Sequence, residues 1–313
     1  MRTERAPLSL HAYVCGHENA FLRQVFAPAL ATLAMPPQAW FFLRYWHGGP
    51  HLRLRVHAAA DQQLALQRQL EQRFAPWCRT VGPFIMPDAA EHAVTAQRFA
   101  ALEGVPADAG LNSAPSLVLR PYQPECAKYG GEAGLAIAEP VWHASASTVL
   151  AADAASPLDG TRRAGTGLQM ALLAARAFGL SAAQAAHFFA ACAGVWQAYC
   201  PGPASAGLER RLAAQAGELQ PLVATIWDGA PAVDVWSVAL RQARQRILAQ
   251  APALAAAVGG GADPLPSGRL QSYFLSQYLH TNNNRLGINP VEEWLQARQA
   301  QGALALHQES THA

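Results

Sequence analysis

The chain has 313 residues, 51% of them hydrophobic and only 14% charged, with a formal net charge of +2. A charged fraction well below the usual level of about 25% leaves few charges for the surface and draws attention to where they cluster. No Lys/Arg-rich run is present, so binding of nucleic acid through a basic patch is unsupported, and the length fits one large domain or two packed subdomains.

The segment MRTERAPLSLHAYVC at the start has no apolar core of the kind a secretory signal needs, so a cytoplasmic location is expected. Leu8 to Cys15 reads as a strand, and Asn19 to Leu33 as a helix ended by Met35–Pro37. Trp40–Trp46 and His51–Ala58 read as two strands joined by a His-Gly-Gly-Pro turn. Asp61 is expected to cap a helix running to about Phe74; a further helix over Ala89–Leu102 and a strand over Ser116–Tyr122 follow. From Gly131 onward alanine becomes abundant and helical periodicity dominates. Helices are expected at 132–152, 163–178, 182–199, 204–219, 232–250, 268–283 and 290–301. Pro221 accounts for the end of the fourth of these, and Ser181 with Gln184, and Asn289 with Glu292, have the spacing of capping boxes. Val258–Gly268 has the composition of a linker.

This order predicts an α+β chain: an N-terminal antiparallel sheet of split βαβ type packed with a larger C-terminal helical part. The expected division is 1–130 for the sheet and 131–303 for the helices, functioning as one unit, with 304–313 a frayed tail. The five cysteines are odd in number and include no CxxC pair, so reduced thiols are expected and a zinc ribbon is not. The alanine-rich helices are interrupted by polar residues, and none reads as a membrane span of about 20 residues.

Three polar constellations carry chemistry. In the first, strand alternation places His51, Arg53, Arg55 and His57 on one face of the second hairpin strand and Leu52, Leu54 and Val56 on the other, with Arg44 and His47 adding cations nearby. Either this is a sheet with one wet face, or the two arginines form a fork suited to a carboxylate or phosphate. The second is RPYQPECAKYGG, Arg120 to Gly131, in which Glu125 and Lys128 form either a surface ion pair or active groups on a strand-to-helix loop. The third is SYFLSQYLHTNNNRLGINP, Ser272 to Pro290. There His280 and Asn284 share a helix face and Arg285 follows, which reads either as C-terminal capping or as a histidine held by a polar neighbour for proton transfer. His143, Ser145 and Ser147 read as ordinary polar groups of an alanine-rich helix, and no P-loop, GxGxxG, HExxH or GxSxG motif is present.

Together, WFFLRYWHGGPHLRLRV, PYQPECAKYGG and YLHTNNNRLG, in that order, resemble the C-terminal, glutamate-eliminating domain of lantibiotic dehydratases, which thiopeptide-type pathways use as a free-standing protein. The resemblance extends from Leu8 to about Trp294. It implies a cofactor-independent lyase. A separate glutamyl-tRNA-dependent subunit glutamylates Ser or Thr of a ribosomal precursor peptide, and this protein expels the glutamate to leave dehydroalanine or dehydrobutyrine. By motif, the implied catalytic residues are Arg53, Arg55, Glu125 and His280, and the implied substrate-binding residues are Arg44, His51, Lys128, Asn284 and Arg285. Which of Glu125 and His280 acts as base stays open. The family loop has Arg where this chain has Lys128, which keeps the charge but loses the bidentate fork, and a family Asp-Ser pair is replaced around Ser145 and Ala146. The same superfamily includes pyridine synthases, which join two dehydroalanines in a [4+2] cyclisation, and a degenerate member would be a non-catalytic peptide-binding partner. The partners implied are the precursor peptide and the glutamylating subunit, with a homodimer also expected; neither nucleic acid nor membrane is engaged directly.

Overall fold

The structure is a computed structural model that describes residues 6–103, 106, 110–112, 114–200, 202, 204–258 and 265–312. The chain divides into two compact units, Met1–Gln123 with Val149–Pro157, and Pro124–Thr148 with Leu158–Ala313.

The first unit is built from β1 (Leu8–Tyr13), α1 (Glu18–Phe21), a π-helical turn (Leu22–Phe26), α2 (Ala27–Ala31), β2 (Ala39–Tyr45), β3 (His51–His57), α3 (Ala60–Cys78), α4 (Ala89–Glu103) and β4 (Ser116–Leu119). The strands form one antiparallel sheet in the order β2-β3-β1-β4, the split arrangement expected of a β-α-β-β-α-β chain. Gly48 and Gly49, at φ 77° and 98°, make the β2–β3 turn with backbone conformations that L side chains avoid. Register pairs Leu10 with Leu54, Ala12 with Leu52 and Phe42 with Leu54 on one face of the sheet. Phe21, Val25, Phe26, Leu66 and Leu70 from the helices are also buried, and Phe26 meets Trp40 edge to face at 5.5 Å.

The helix expected over 19–33 runs without a gap from Glu18 to Ala31, with a π-helical turn at its centre. Pro28 has no N–H to donate to the carbonyl of Gln24, and the wider π turn lies across that missing bond. The Asp61 cap is also corrected: Ala59 occupies the cap position without a side-chain bond, and Asp61 lies inside the first turn, where its carboxylate still complements the helix dipole.

The second unit is helical. It takes in most of α5 (Gly131–Ala155), then α6 (Gly160–Ala177), α7 (Ala182–Trp196) with a 3₁₀ turn (Gln197–Tyr199), α8 (Ala206–Glu218), α9 (Gln220–Trp227), α10 (Val235–Ala249), α11 (Ala251–Val258), α12 (Ser267–Leu286) and α13 (Pro290–His312). The capping box at Ser181 and Gln184 is formed, at 3.2 and 3.0 Å. So is the reciprocal pair of Asn289 and Glu292, at 3.1 and 2.9 Å. Two short helices were not expected. Pro221 does end α8, but it also occupies the first turn of α9, where its missing N–H costs nothing. α11 follows α10 after the single residue Gln250. Of the expected linker, residues 259–264 lie outside the described residues, Val258 belongs to α11 and Ser267 opens α12.

The expected fraying after Ala303 is corrected: α13 continues to His312. Ala303 and Leu304 are fully buried, and the Ala303 carbonyl accepts from Gln220 Nε2 at 2.9 Å, so the apolar face of α13 carries on past Gly302. Among the described residues, no helix is long and apolar enough to cross a membrane, and all five cysteines are free thiols.

Candidate functional site

The first unit gathers the hairpin cations. Side chains directly opposite in an antiparallel pair share a face. The register pairs Arg53 with His11 and Leu43, Arg55 with Ser9 and Phe41, and His51 with Tyr45. This face is not simply wet. His51 is 2% exposed and Arg55 6%. The His51 ring stacks on His11 at 4.7 Å and lies 4.6 Å from Tyr13, while the Arg53 guanidinium sits 3.3 Å above the Tyr45 ring and Arg55 is 5.5 Å from Tyr122.

The hydrogen bonds set the tautomer of His51, and burial sets the protonation of both rings. His51 Nδ1–H donates to the Gly49 carbonyl at 2.8 Å, which leaves Nε2 to accept from Arg53 Nε at 3.4 Å. Arg55 donates through NH1 to the Leu54 carbonyl at 2.8 Å, and its NH2 lies 3.4 Å from His11 Nε2. Burial, with the neighbouring His51 and arginines, holds His11 down to about 3. Burial also lowers His51 to about 4, against the Gly49 hydrogen bond, with Arg53 and Arg55 adding to the depression. Both imidazoles are therefore neutral at pH 7, and the positive charge of the face resides on arginine. Burial, then Arg53, lowers Arg55 to about 10, so it stays charged. Arg55 has no carboxylate partner among the described residues.

The second unit carries the loop and the histidine. Gly131 N donates to the Cys126 carbonyl at 2.7 Å, closing the loop before α5. Tyr129 is its anchor: the ring is 1% exposed and meets Trp142 edge to face at 4.9 Å, and burial raises its hydroxyl pKa. The backbone of this anchor needs Gly134, where an added Cβ would lie 1.5 Å from the Tyr129 carbonyl oxygen. Lys128 Nζ pairs with Glu125 Oε2 at 3.2 Å on the outside of the loop, where the two side chains are 34% and 54% exposed. The Lys128 carbonyl accepts from Tyr273 of α12 at 2.8 Å. Tyr273 precedes His280 by two helical turns, so the loop is tied to the face of α12 that presents the histidine.

His280 donates Nδ1–H to Glu293 Oε1 at 2.8 Å, since a carboxylate only accepts. Glu293 is 3% exposed, and its other oxygen accepts from Asn283 Nδ2 at 3.3 Å. The Trp196 ring is 5.0 Å from the imidazole. The imidazole, 35% exposed as a side chain, thus has one nitrogen held by a buried carboxylate and its second, Nε2, left without a bond to that carboxylate. Asn284 is half-buried one turn beyond His280.

Three side chains are placed by the fold in ways that their sequence neighbourhoods do not indicate. Arg44 pairs with Leu52, so it belongs to the opposite face from Arg53 and Arg55, where it donates to Asn19 Oδ1. Arg285, implied by the resemblance to bind substrate, is wholly buried and donates to the Thr281 carbonyl at 3.0 Å and to Ser145 Oγ at 3.3 Å, and burial lowers it to about 9. Ser145 is not an ordinary helix polar group, being buried with its hydroxyl donated to Asn282 Oδ1 at 2.8 Å, which joins α5 to α12.

Sequence reasoning missed His11, Tyr45, Trp196 and Glu293. A signal for Glu293 was present. The turn Gly287–Asn289 is short, so side chains that flank it on α12 and α13 lie within reach of each other. Among the described residues, no group of three or more His, Cys, Asp or Glu is placed to hold a metal ion.

Among solved structures, the chain is similar to the pyridine synthase TbtD from thiomuracin biosynthesis, at 20% identity and a TM-score of 0.71 over 96% of this chain and 98% of that one. It is also similar to TsrL, at 18% identity and a TM-score of 0.63 over 97% and 95%. In the tRNA-dependent lantibiotic dehydratase MibB from Microbispora sp. 107891 it matches with 20% identity and a TM-score of 0.57; all of this chain is covered, but only 29% of that one. At these identities the likeness is one of fold. A search of curated proteins returns no match. The family model described as lantibiotic biosynthesis dehydratase C-term matches residues 8–304. The chain belongs to the lantibiotic biosynthesis dehydratase C-terminal family.

Proposed function

We propose that this protein eliminates glutamate from glutamylated Ser and Thr of a ribosomal precursor peptide, working with a separate subunit that glutamylates the peptide from glutamyl-tRNA. A base takes the α-proton, and the electron pair passes through an enolate on the peptide carbonyl. The Cβ–O ester bond then breaks and glutamate leaves as its carboxylate. Ser gives dehydroalanine and Thr dehydrobutyrine. The observation that carries this reading is Arg55: a buried guanidinium beside two neutral imidazoles, with no carboxylate partner among the described residues, suits an anionic substrate group. Arg53 and Arg55 are assigned the glutamyl carboxylates and the enolate charge, and a well-aimed donor to such charge contributes about 3–4 kcal/mol.

His280 is assigned the α-proton. Its Nδ1–H is held by buried Glu293, leaving Nε2 as the acceptor, whereas Glu125 is half-exposed and ion-paired with Lys128. A second reading, [4+2] cyclisation of dehydroalanines, is favoured by the match to TbtD over 98% of that pyridine synthase. The test offers purified protein a glutamylated peptide and, separately, a dehydrated azole peptide, with products read by mass spectrometry. Elimination predicts release of free glutamate from the first, and loss of about 10²–10⁴-fold in rate in His280→Ala. Ring formation from the second peptide would establish the cyclisation reading. Unchanged output from His280→Ala would make the protein a binding partner.

A further inference from the structure

The second unit holds a cluster of arginines that the reaction above does not use. Arg176 in the last turn of α6 and Arg241 and Arg244 on α10 line an open groove of about 550 Å³. Arg241 and Arg244 are three apart and so share a helix face. Their guanidiniums are held in place by neutral groups. Arg241 donates to the Ala232 carbonyl at 2.7 Å. Arg244 donates to Gln271 Oε1 at 3.1 Å and lies against the backbone of Gly179. No carboxylate pairs with any of the three among the described residues, whereas Arg23, Arg163 and Arg298 are each ion-paired to an acid. The one acid of the groove, Asp234, is engaged as the cap of α10, accepting from Ser237 N at 2.9 Å. Two further polar atoms there, Arg176 Nε and the hydroxyl of Ser237, itself 1% exposed, are buried without a hydrogen-bond partner.

Between the arginines the lining is aliphatic, with Leu173, Leu222, Ile226 and Pro231. No aromatic ring or histidine is in it, so a nucleobase would find nothing to stack on. We infer that this groove binds an acidic peptide segment, with carboxylates on Arg176, Arg241 and Arg244 and an aliphatic side chain on the apolar strip. An open trough offering both chemistries suits an extended chain better than a small anion, which would use the charges alone.

The probe is a fluorescein-labelled dodecapeptide alternating Glu and Leu, with a Gln-and-Leu peptide as control, followed by fluorescence anisotropy against the full chain. The acidic peptide is expected to bind, to weaken as salt is raised, and to lose at least about tenfold in affinity in Arg176→Gln/Arg241→Gln. The second variant, Gln169→Glu/Gln245→Glu, adds acids at exposed groove positions without removing any side-chain bond, and is expected to weaken binding similarly. Equal binding of the Gln peptide, or affinity unchanged in both variants, overturns the inference. So does displacement of the peptide by inorganic phosphate or free glutamate at concentrations equal to its own, which would mark a small-anion site. Tighter binding of an oligonucleotide than of the peptide also overturns it.

Discussion

Protonation of His11 and His51 gives the sharpest test of the cationic face. An imidazole whose pKa is lowered on folding imposes no cost above its ordinary value of 6.5, where folded and unfolded forms are both neutral. Below that value the unfolded chain takes up protons that the folded chain refuses, so stability falls as the pH drops. The folded values are about 3 for His11 and about 4 for His51, so the loss accrues across the window from 6.5 down to about 4. At about 1.36 kcal/mol per pH unit, a buried ring costs roughly 2 kcal/mol by pH 5. His51 contributes this in full and the partly solvated His11 contributes less, so their joint cost lies at about 2–4 kcal/mol. Two measurements check this. The ring C2–H resonances of His11 and His51 are expected to stay flat in an NMR titration from pH 8 to 5. The drop in urea midpoint over the same range is expected to be smaller in His11→Gln/His51→Gln than in the parent. An inflection near pH 6.5 for both rings, or identical drops in the two proteins, would refute the reasoning.

Gly134→Ala drives a methyl into the Tyr129 carbonyl and is expected to cost about 3 kcal/mol or more, or roughly 6–12 °C in Tm by calorimetry; a change under about 2 °C would remove Tyr129 as a fixed anchor. Arg285→Met is expected to leave the KM for glutamylated peptide within about twofold, because the guanidinium is buried, while lost hydrogen bonds to Ser145 and Thr281 lower stability by roughly 1–3 kcal/mol. A tenfold rise in KM at unchanged Tm would return Arg285 to the substrate. Ser181→Ala breaks the capping box of α7 and is expected to cost about 1 kcal/mol in denaturant unfolding, with full recovery in Ser181→Asp.

What could be read from sequence was what local patterning encodes. The period-2 run His51–His57 marked β3 and its two faces, and the same rule applied to β2 would have separated Arg44 from the other cations, because it pairs with Leu52. The partners of the cationic face were not legible, since His11 reaches Arg53 only through a register between strands about forty residues apart. His280 stood out as a histidine, but its carboxylate is on the next helix, and the flanking Glu292 drew the cap assignment. The burial of Arg285 had no local signature, because a basic residue at a helix C-terminus is ordinarily solvated and here it is enclosed by Ser145 from α5. α9 and α11 escaped notice for a plainer reason: each is eight residues long and begins beside a proline, which reads first as a stop.

The strand order carries a consequence for synthesis. β1 is translated first yet ends up interior, bonded to β3 on one side and β4 on the other. A nascent polypeptide short of Ser116–Leu119 therefore holds an N-terminal strand with one bare hydrogen-bonding edge, however well the hairpin has formed. Closing that gap requires contacts across more than a hundred residues, which slows sheet completion and leaves the immature intermediate prone to mispairing while the ribosome finishes the segment that seals it.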